Sequence, residues 1–204
     1  MIRSSKVQNY SLFWKKFITE GSQEALSLIY FNHFDLLFNF GLKYTSDRQT
    51  IEDSIQNIFS YFLKNRKSLG PVNNIPGYLL TCFRRQLFIE LKKQKKLFLI
   101  ENFPEDHFNF YNSPEQDLID HEEDNQLRTV VNQCISNLTV KQQEIIYLRF
   151  ECELSYEDIA KILEITVESC YKLVYRSINA IRIEAEKILC KKGRTNIRFD
   201  IDQK

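Results

Sequence analysis

The chain has 204 residues, 43% of them hydrophobic, and a formal net charge of +1, enough apolar material for one ordinary domain or two small ones. No run approaches the roughly 18 consecutive apolar residues of a membrane span, and "MIRSSKVQNY" leads into charged sequence instead of a signal-peptide core, so a cytoplasmic protein with no membrane insertion is expected. The five cysteines (Cys82, Cys134, Cys152, Cys170, Cys190) are far apart, without a C-x-x-C pair or a histidine at ligand spacing; they read as reduced thiols, and no metal or cofactor is expected.

With Gly at 5 and Pro at 4, and apolar residues recurring at three and four, the expected fold class is all-α. Charge divides the chain into three blocks. Residues 1–96 hold 15 Lys/Arg against 7 Asp/Glu, residues 97–127 hold none against 9, and residues 128–204 hold 13 against 11, giving +8, −9 and +2. Two small helical domains, 10–96 and 128–185, are expected on either side of an extended acidic linker, 97–127, with a polar tail at 186–204.

In the first domain "KYTSDRQTIEDSIQNIFSYFLKNR" sets Ile51, Ile55, Ile58 and Phe62 on one helical face and Glu52, Asp53, Gln56 and Asn57 towards the other. The loop "KNRKSLGPVNN" follows. Next comes "IPGYLLTCFRRQLFIELKKQKK", with Pro76 in a first-turn position and Leu80, Phe83, Leu87 and Leu91 as its core stripe. Arg84, Arg85, Lys92, Lys93, Lys95 and Lys96 are left for phosphate. Tyr78, Phe83 and Phe88 interleave with these cations, a composition suited to single strands, although Phe83 and Phe88 are expected in the core.

In the second domain Val131, Cys134, Ile135 and Leu138 stripe one helix, and Thr139 with Gln142 has the spacing of a capping box for the next. Ser155 and Asp158 repeat that spacing before a helix striped by Ile159, Ala160, Ile162 and Leu163. A last helix starts at Thr166. Val167, Cys170, Val174, Ile178 and Ile181 line its buried face, and Glu168, Lys172, Arg176 and Asn179 its open one, with Tyr171 and Tyr175 at the boundary. Two helices meeting at a tight corner, the second with one apolar and one polar face, suit a helix-turn-helix that grips duplex DNA.

"YTSDRQTIEDSIQNIF" resembles region two of bacterial RNA polymerase sigma factors, and "LTVKQQEIIYLRFECELSYEDIAKILEITVESCYKLVYRSINAIR" resembles their region four. In this order, with a short linker, they are most similar to the extracytoplasmic-function group, in its Bacteroidetes-like form; the likeness covers roughly residues 10–95 and 128–183. It implies a sigma factor that binds core RNA polymerase, recognises a promoter and helps to melt it. Such a protein has no catalytic residues of its own, and no nucleophile triad, paired catalytic carboxylates or Gly-rich phosphate loop is visible in the sequence.

By the same resemblance Asp53 and Gln56, with Glu52 and Asn57 beside them, match the positions that dock on the coiled coil of the polymerase's largest subunit, and region four faces the flap. Tyr78, Arg84, Arg85, Lys92 and Lys93 fall on the element that holds the melted minus-ten strand, and residues 64–75 match the loop that captures a flipped base. Thr166, Ser169, Tyr171, Lys172, Tyr175 and Arg176 fall on the recognition helix facing the minus-thirty-five duplex. The acidic linker matches the segment threading the polymerase's RNA path.

Three positions depart from the family's pattern: Glu164 where glycine is usual, Cys170 for valine, and Asn57 where an acidic residue is common. Glu164 and Glu168 both bring negative charge close to DNA phosphates. A stand-alone helix-turn-helix regulator and a polymerase adaptor placed by another DNA-bound protein therefore stay open beside the sigma factor. So does an anti-sigma factor as partner.

Overall fold

The computed structural model describes residues 10–98, 107–110 and 122–191. All regular structure among them is helical, in two compact units, Met1–Glu105 and Asp106–Lys204.

Unit 1 consists of α1 (Tyr10–Glu20), α2 (Gln23–Leu42), α3 (Arg48–Lys64), a 3-10 turn (Arg66–Ser68) and α4 (Ile75–Phe98). Ser22 caps α2 by accepting from the Ala25 amide, and Asp47 caps α3 by accepting from that of Thr50, so each helix starts where a short oxygen-bearing side chain meets its orphan amides. Ile51, Ile55, Ile58 and Phe62 on α3 are buried, as are Leu80, Phe83, Leu87 and Leu91 on α4, as their spacing predicts. α3 packs against α4 and α2. Gly41 lies at that junction: a Cβ there would stand 2.8 Å from Ile51 Cγ2 and 3.0 Å from Phe83 Cζ.

An aromatic cluster closes the other end of the unit. Trp14 is fully buried, with ring centroids 5.6 Å from Phe17, 5.3 Å from Phe62 and 5.4 Å from Tyr78. Its indole N–H donates to the Gly70 carbonyl at 3.0 Å. Arg66 Nη1 donates to the carbonyls of Ile18 at 2.9 Å and Thr19 at 3.3 Å, so the loop after α3 is fastened to the end of α1 at two points.

Unit 2 consists of α5 (Glu122–Ser136), α6 (Val140–Ile146) with a π-helical turn (Tyr147–Glu151) continuing from it, α7 (Tyr156–Leu163) and α8 (Val167–Lys191). The Thr139–Gln142 capping box is present in both directions. Val130, Cys134, Ala185 and Ile188 form a core cluster between α5 and α8, with Ile181 packed against it.

Several expectations are corrected here. Val130 is buried and Val131 is 38% exposed, because α5 turns towards the far end of α8. α8 runs to Lys191, so residues 186–191 continue a helix that buries Ala185, Ile188 and Leu189 and do not begin a polar tail. Helix α5 starts at Glu122, inside the expected linker. Also within that stretch, Phe108 is buried, and Phe108 and Phe110 each lie 5.7 Å from the Tyr147 ring. The rest of the linker (99–106, 111–121) and of the tail (192–204) lies outside the described residues.

Gly41→Ala is expected to destabilise unit 1 by about 1–3 kcal/mol, the cost of overpacking a tight core contact. Urea unfolding followed by circular dichroism measures it. An unchanged midpoint would mean that α2 and α3 can part without loss.

Candidate nucleic-acid and polymerase interfaces

On unit 1, Asp53, Gln56 and Asn57 are exposed on α3 and Glu52 is partly exposed. Together with Thr50 on α3 and with Glu90 and Gln94 on α4, the first three line a polar groove. Its walls are tied side chain to side chain. Gln94 donates to Thr50 Oγ1 at 2.6 Å and to Asp47 Oδ2 at 3.4 Å, and Thr50 Oγ1 donates to Asp47 Oδ2 at 2.6 Å. The Thr50 hydroxyl holds the Asp47 carboxyl below its ordinary range. Gln49 donates to Asp53 Oδ1 at 2.8 Å, leaving that carboxylate oriented on the rim.

The cationic helix α4 divides its basic residues. Arg85, Lys92 and Lys93 are exposed, Lys93 pairing with Glu90 at 3.0 Å. Arg84 is half-buried; its guanidinium lies 4.4 Å from the centre of the Phe88 ring, and Nε donates to Tyr44 Oη at 3.4 Å. Phe83 and Phe88 are buried, as expected. The side chains of Lys95 and Lys96 lie outside the described residues.

Tyr78 is where the geometry departs most from the sequence reading. Its ring stacks on Phe62 at 5.7 Å and meets Trp14 edge-on, and burial pushes its hydroxyl pKa well up. It is a half-buried member of the aromatic cluster, and the ring face against Phe62 is taken up there. Trp14, which carries no signal of its own in the periodicity, fixes the adjoining loop.

On unit 2 the corner between α7 and α8 is built at Glu164, whose backbone is left-handed (φ 56°, ψ 42°). The Glu164 and Ile165 amides both donate back to the Ala160 carbonyl, which ends α7 sharply. Thr166 then opens α8: its hydroxyl oxygen accepts from the Ser169 amide at 3.1 Å and donates to Ser169 Oγ at 2.8 Å, so both expected contact residues also serve as the cap. Cys170 and Val174 are buried, and Ile178 and Ile181 are half-buried. Val167, expected on the buried face, is 37% exposed at the corner.

Tyr171, Lys172, Tyr175 and Arg176 all stand on the open face of α8. Lys172 Nζ is 2.6 Å from Glu168 Oε1, an exposed pair worth only about 0.3–0.5 kcal/mol. Arg176 has no ion-pair partner among the described residues. Among those residues there is also no group of three or more His, Cys, Asp or Glu placed to hold a metal, and no helix long and apolar enough to cross a membrane.

Residues 128–181 match the family model described as Sigma-70, region 4. No curated protein sequence matches the chain. Among solved structures the chain is similar in fold to CnrH, determined in complex with the cytosolic domain of CnrY, at 12% identity and a TM-score of 0.56, covering 90% of this chain and 99% of that one. It is also similar in fold to the sigma factor RpoE of Bartonella quintana, determined with the anti-sigma factor NepR, at 18% identity and a TM-score of 0.53, covering 80% and 96%.

A non-glycine residue in the left-handed region is strained. Glu164→Gly is expected to stabilise unit 2 by about 0.5–1 kcal/mol, read as a higher urea midpoint. A lower midpoint would show that contacts of the Glu164 side chain outweigh the backbone strain.

Proposed function

We propose that the chain, whose residues 128–181 match the family model described as Sigma-70, region 4 and whose fold is similar to that of the two solved structures above, is an extracytoplasmic-function sigma factor of the sigma-70 superfamily. It binds core RNA polymerase, recognises a promoter and helps to melt it. The observation that carries this reading is the joining, in one chain, of a region 4 to a helical unit with a tied polar groove on one side and a cationic helix beside it.

In this mechanism Asp53, Gln56 and Asn57, with Glu52 beside them, dock on the coiled coil of the largest subunit. Carboxylates and amides suit that task because they accept from guanidinium groups, which are enriched at protein interfaces. Arg85, Lys92 and Lys93 follow the phosphates of the opened strand, with Arg84 held at the edge of the core beside them. Loop 64–75, pinned by Trp14 and Arg66, faces the melted bases. α8 enters the upstream duplex with Tyr171, Lys172, Tyr175 and Arg176, and region 4 also meets the polymerase flap. The protein works in the cytoplasm and needs no cofactor.

One of the solved structures above holds the anti-sigma factor NepR, and the other the cytosolic domain of CnrY; the first supports an anti-sigma factor as a further partner here. A second reading, an adaptor set in place by another DNA-bound protein, has one observation in its favour. Lys172 is already paired with Glu168, and Glu164 stands at the corner, so α8 has a weakened independent grip on phosphate.

Asp53→Ala with Gln56→Ala is expected to reduce capture of core polymerase by at least ten-fold, with stability changed by about 0.5 kcal/mol or less because both side chains are exposed. Co-purification at fixed salt, beside a thermal melt, measures both. Capture equal to that of the unaltered protein would remove the docking role from α3.

A further inference from the structure

The open face of region 4 holds one arrangement that capping and core packing leave unexplained. Tyr156, the first residue of α7, lies against Tyr171 on α8 with ring centroids 3.9 Å apart and an interplanar angle of 24°. The Arg149 guanidinium carbon is 4.9 Å from the centre of the Tyr156 ring, and Arg149 Nη1 donates to the Leu154 carbonyl at 2.9 Å, which anchors the cation to the turn before α7. Three side chains from three elements thus converge at the start of α7, against the early part of α8.

This is an unusual use of a tyrosine at the surface. Tyr171 is 49% exposed, so the stack does little to bury it, yet its ring is held in one orientation. Tyr175, one turn further along and 69% exposed, has no ring contact among the described residues. Holding an exposed aromatic before binding removes the ordering cost at the moment of contact. The apolar group that such a ring can meet in a major groove is the 5-methyl of thymine, which no other base carries there.

Resting on the reading of α7 and α8 as a duplex-binding pair, we propose that Tyr171 reads the methyl group of one thymine in the upstream promoter element, with Tyr156 as the positioning residue that holds its ring. Arg149 steadies Tyr156 from the turn. The Tyr156 hydroxyl has no part in this, since the stack needs only the ring.

The test uses holoenzyme and a promoter duplex in which each upstream thymine is replaced singly by deoxyuridine, which deletes the methyl and nothing else. At one position the replacement is expected to weaken binding about four-fold, the value of one buried methyl-sized group. Tyr171→Ala abolishes that difference, Tyr156→Ala reduces it, and Tyr156→Phe retains it. Tyr171→Ala changes an exposed side chain and keeps its fold, so the result does not depend on how Tyr156→Ala tolerates its substitution.

Insensitivity to deoxyuridine at every position, or a four-fold step that survives in Tyr171→Ala, overturns the proposal. If Tyr156→Ala weakens thymine and deoxyuridine duplexes equally and leaves the step intact, its positioning role is overturned. Failure of the holoenzyme to bind any promoter duplex is a different outcome: it removes the sigma-factor reading and takes this inference with it.

Discussion

The hydrogen bond from the Trp14 indole to the Gly70 carbonyl is the constraint on which unit 1 depends. It crosses 56 positions of sequence and joins the first helix to the loop between α3 and α4. Around it, Phe17, Phe62 and Tyr78 bring rings from α1, α3 and α4 into one cluster, each pair adding about 0.5–1.5 kcal/mol beyond the area it buries. With the indole N–H satisfied and the loop clamped again by Arg66, the polar groove of α3 and the cations of α4, which pack on each other, belong to one compact unit. Two surfaces proposed to meet two partners therefore stand on one packed pair of helices.

Unit 2 solves a different problem, which is how to turn a chain sharply between two helices without glycine. Glu164 takes the left-handed conformation, and its amide and that of Ile165 share the Ala160 carbonyl, so geometry is kept at the expense of strain. The same residue sets a carboxylate at the mouth of the corner. With Glu168 holding Lys172, the electrostatics of α8 are closer to neutral than its Lys and Arg content suggests. The recognition face proposed for α8 gains less from nonspecific phosphate attraction, so more of its affinity must come from base edges and from shape.

Much of this was legible in the sequence, and the misses have physical causes. The stripes of α3 and α4 could be read because their periodicity is carried by large aliphatic and aromatic residues, and the caps at Thr139, Ser155 and Thr166 because short hydroxyl residues precede each run. Tyr78 could not be placed by local pattern. An aromatic among cations can stack on a base or join a core, and the contact with Trp14 on α1, which draws the Tyr78 ring into the cluster, has no counterpart in the local spacing. Val130 and Val131 are neighbours about 100° apart on α5, and the far end of α8 selects between them. That extension did leave a signal: Ala185, Ile188 and Leu189 continue the three-and-four spacing. Likewise Phe108 and Phe110 were hidden by the acidic charge around them, although two aromatics in a solvated linker invite a packing partner, here Tyr147. The exposed faces of α3 and α8 follow from periodicity, whereas the partners assigned to them follow from the family.

As the proposed sigma factor, this chain would give core polymerase its promoter selectivity. Run-off transcription with purified chain and core RNA polymerase on genomic fragments, with start sites mapped, addresses it most directly. Transcripts are expected to begin at discrete sites, to depend on the chain, and to share sequence elements at two fixed upstream positions. Core polymerase that initiates no differently with the chain present, while the chain alone binds operator duplex, would contradict it.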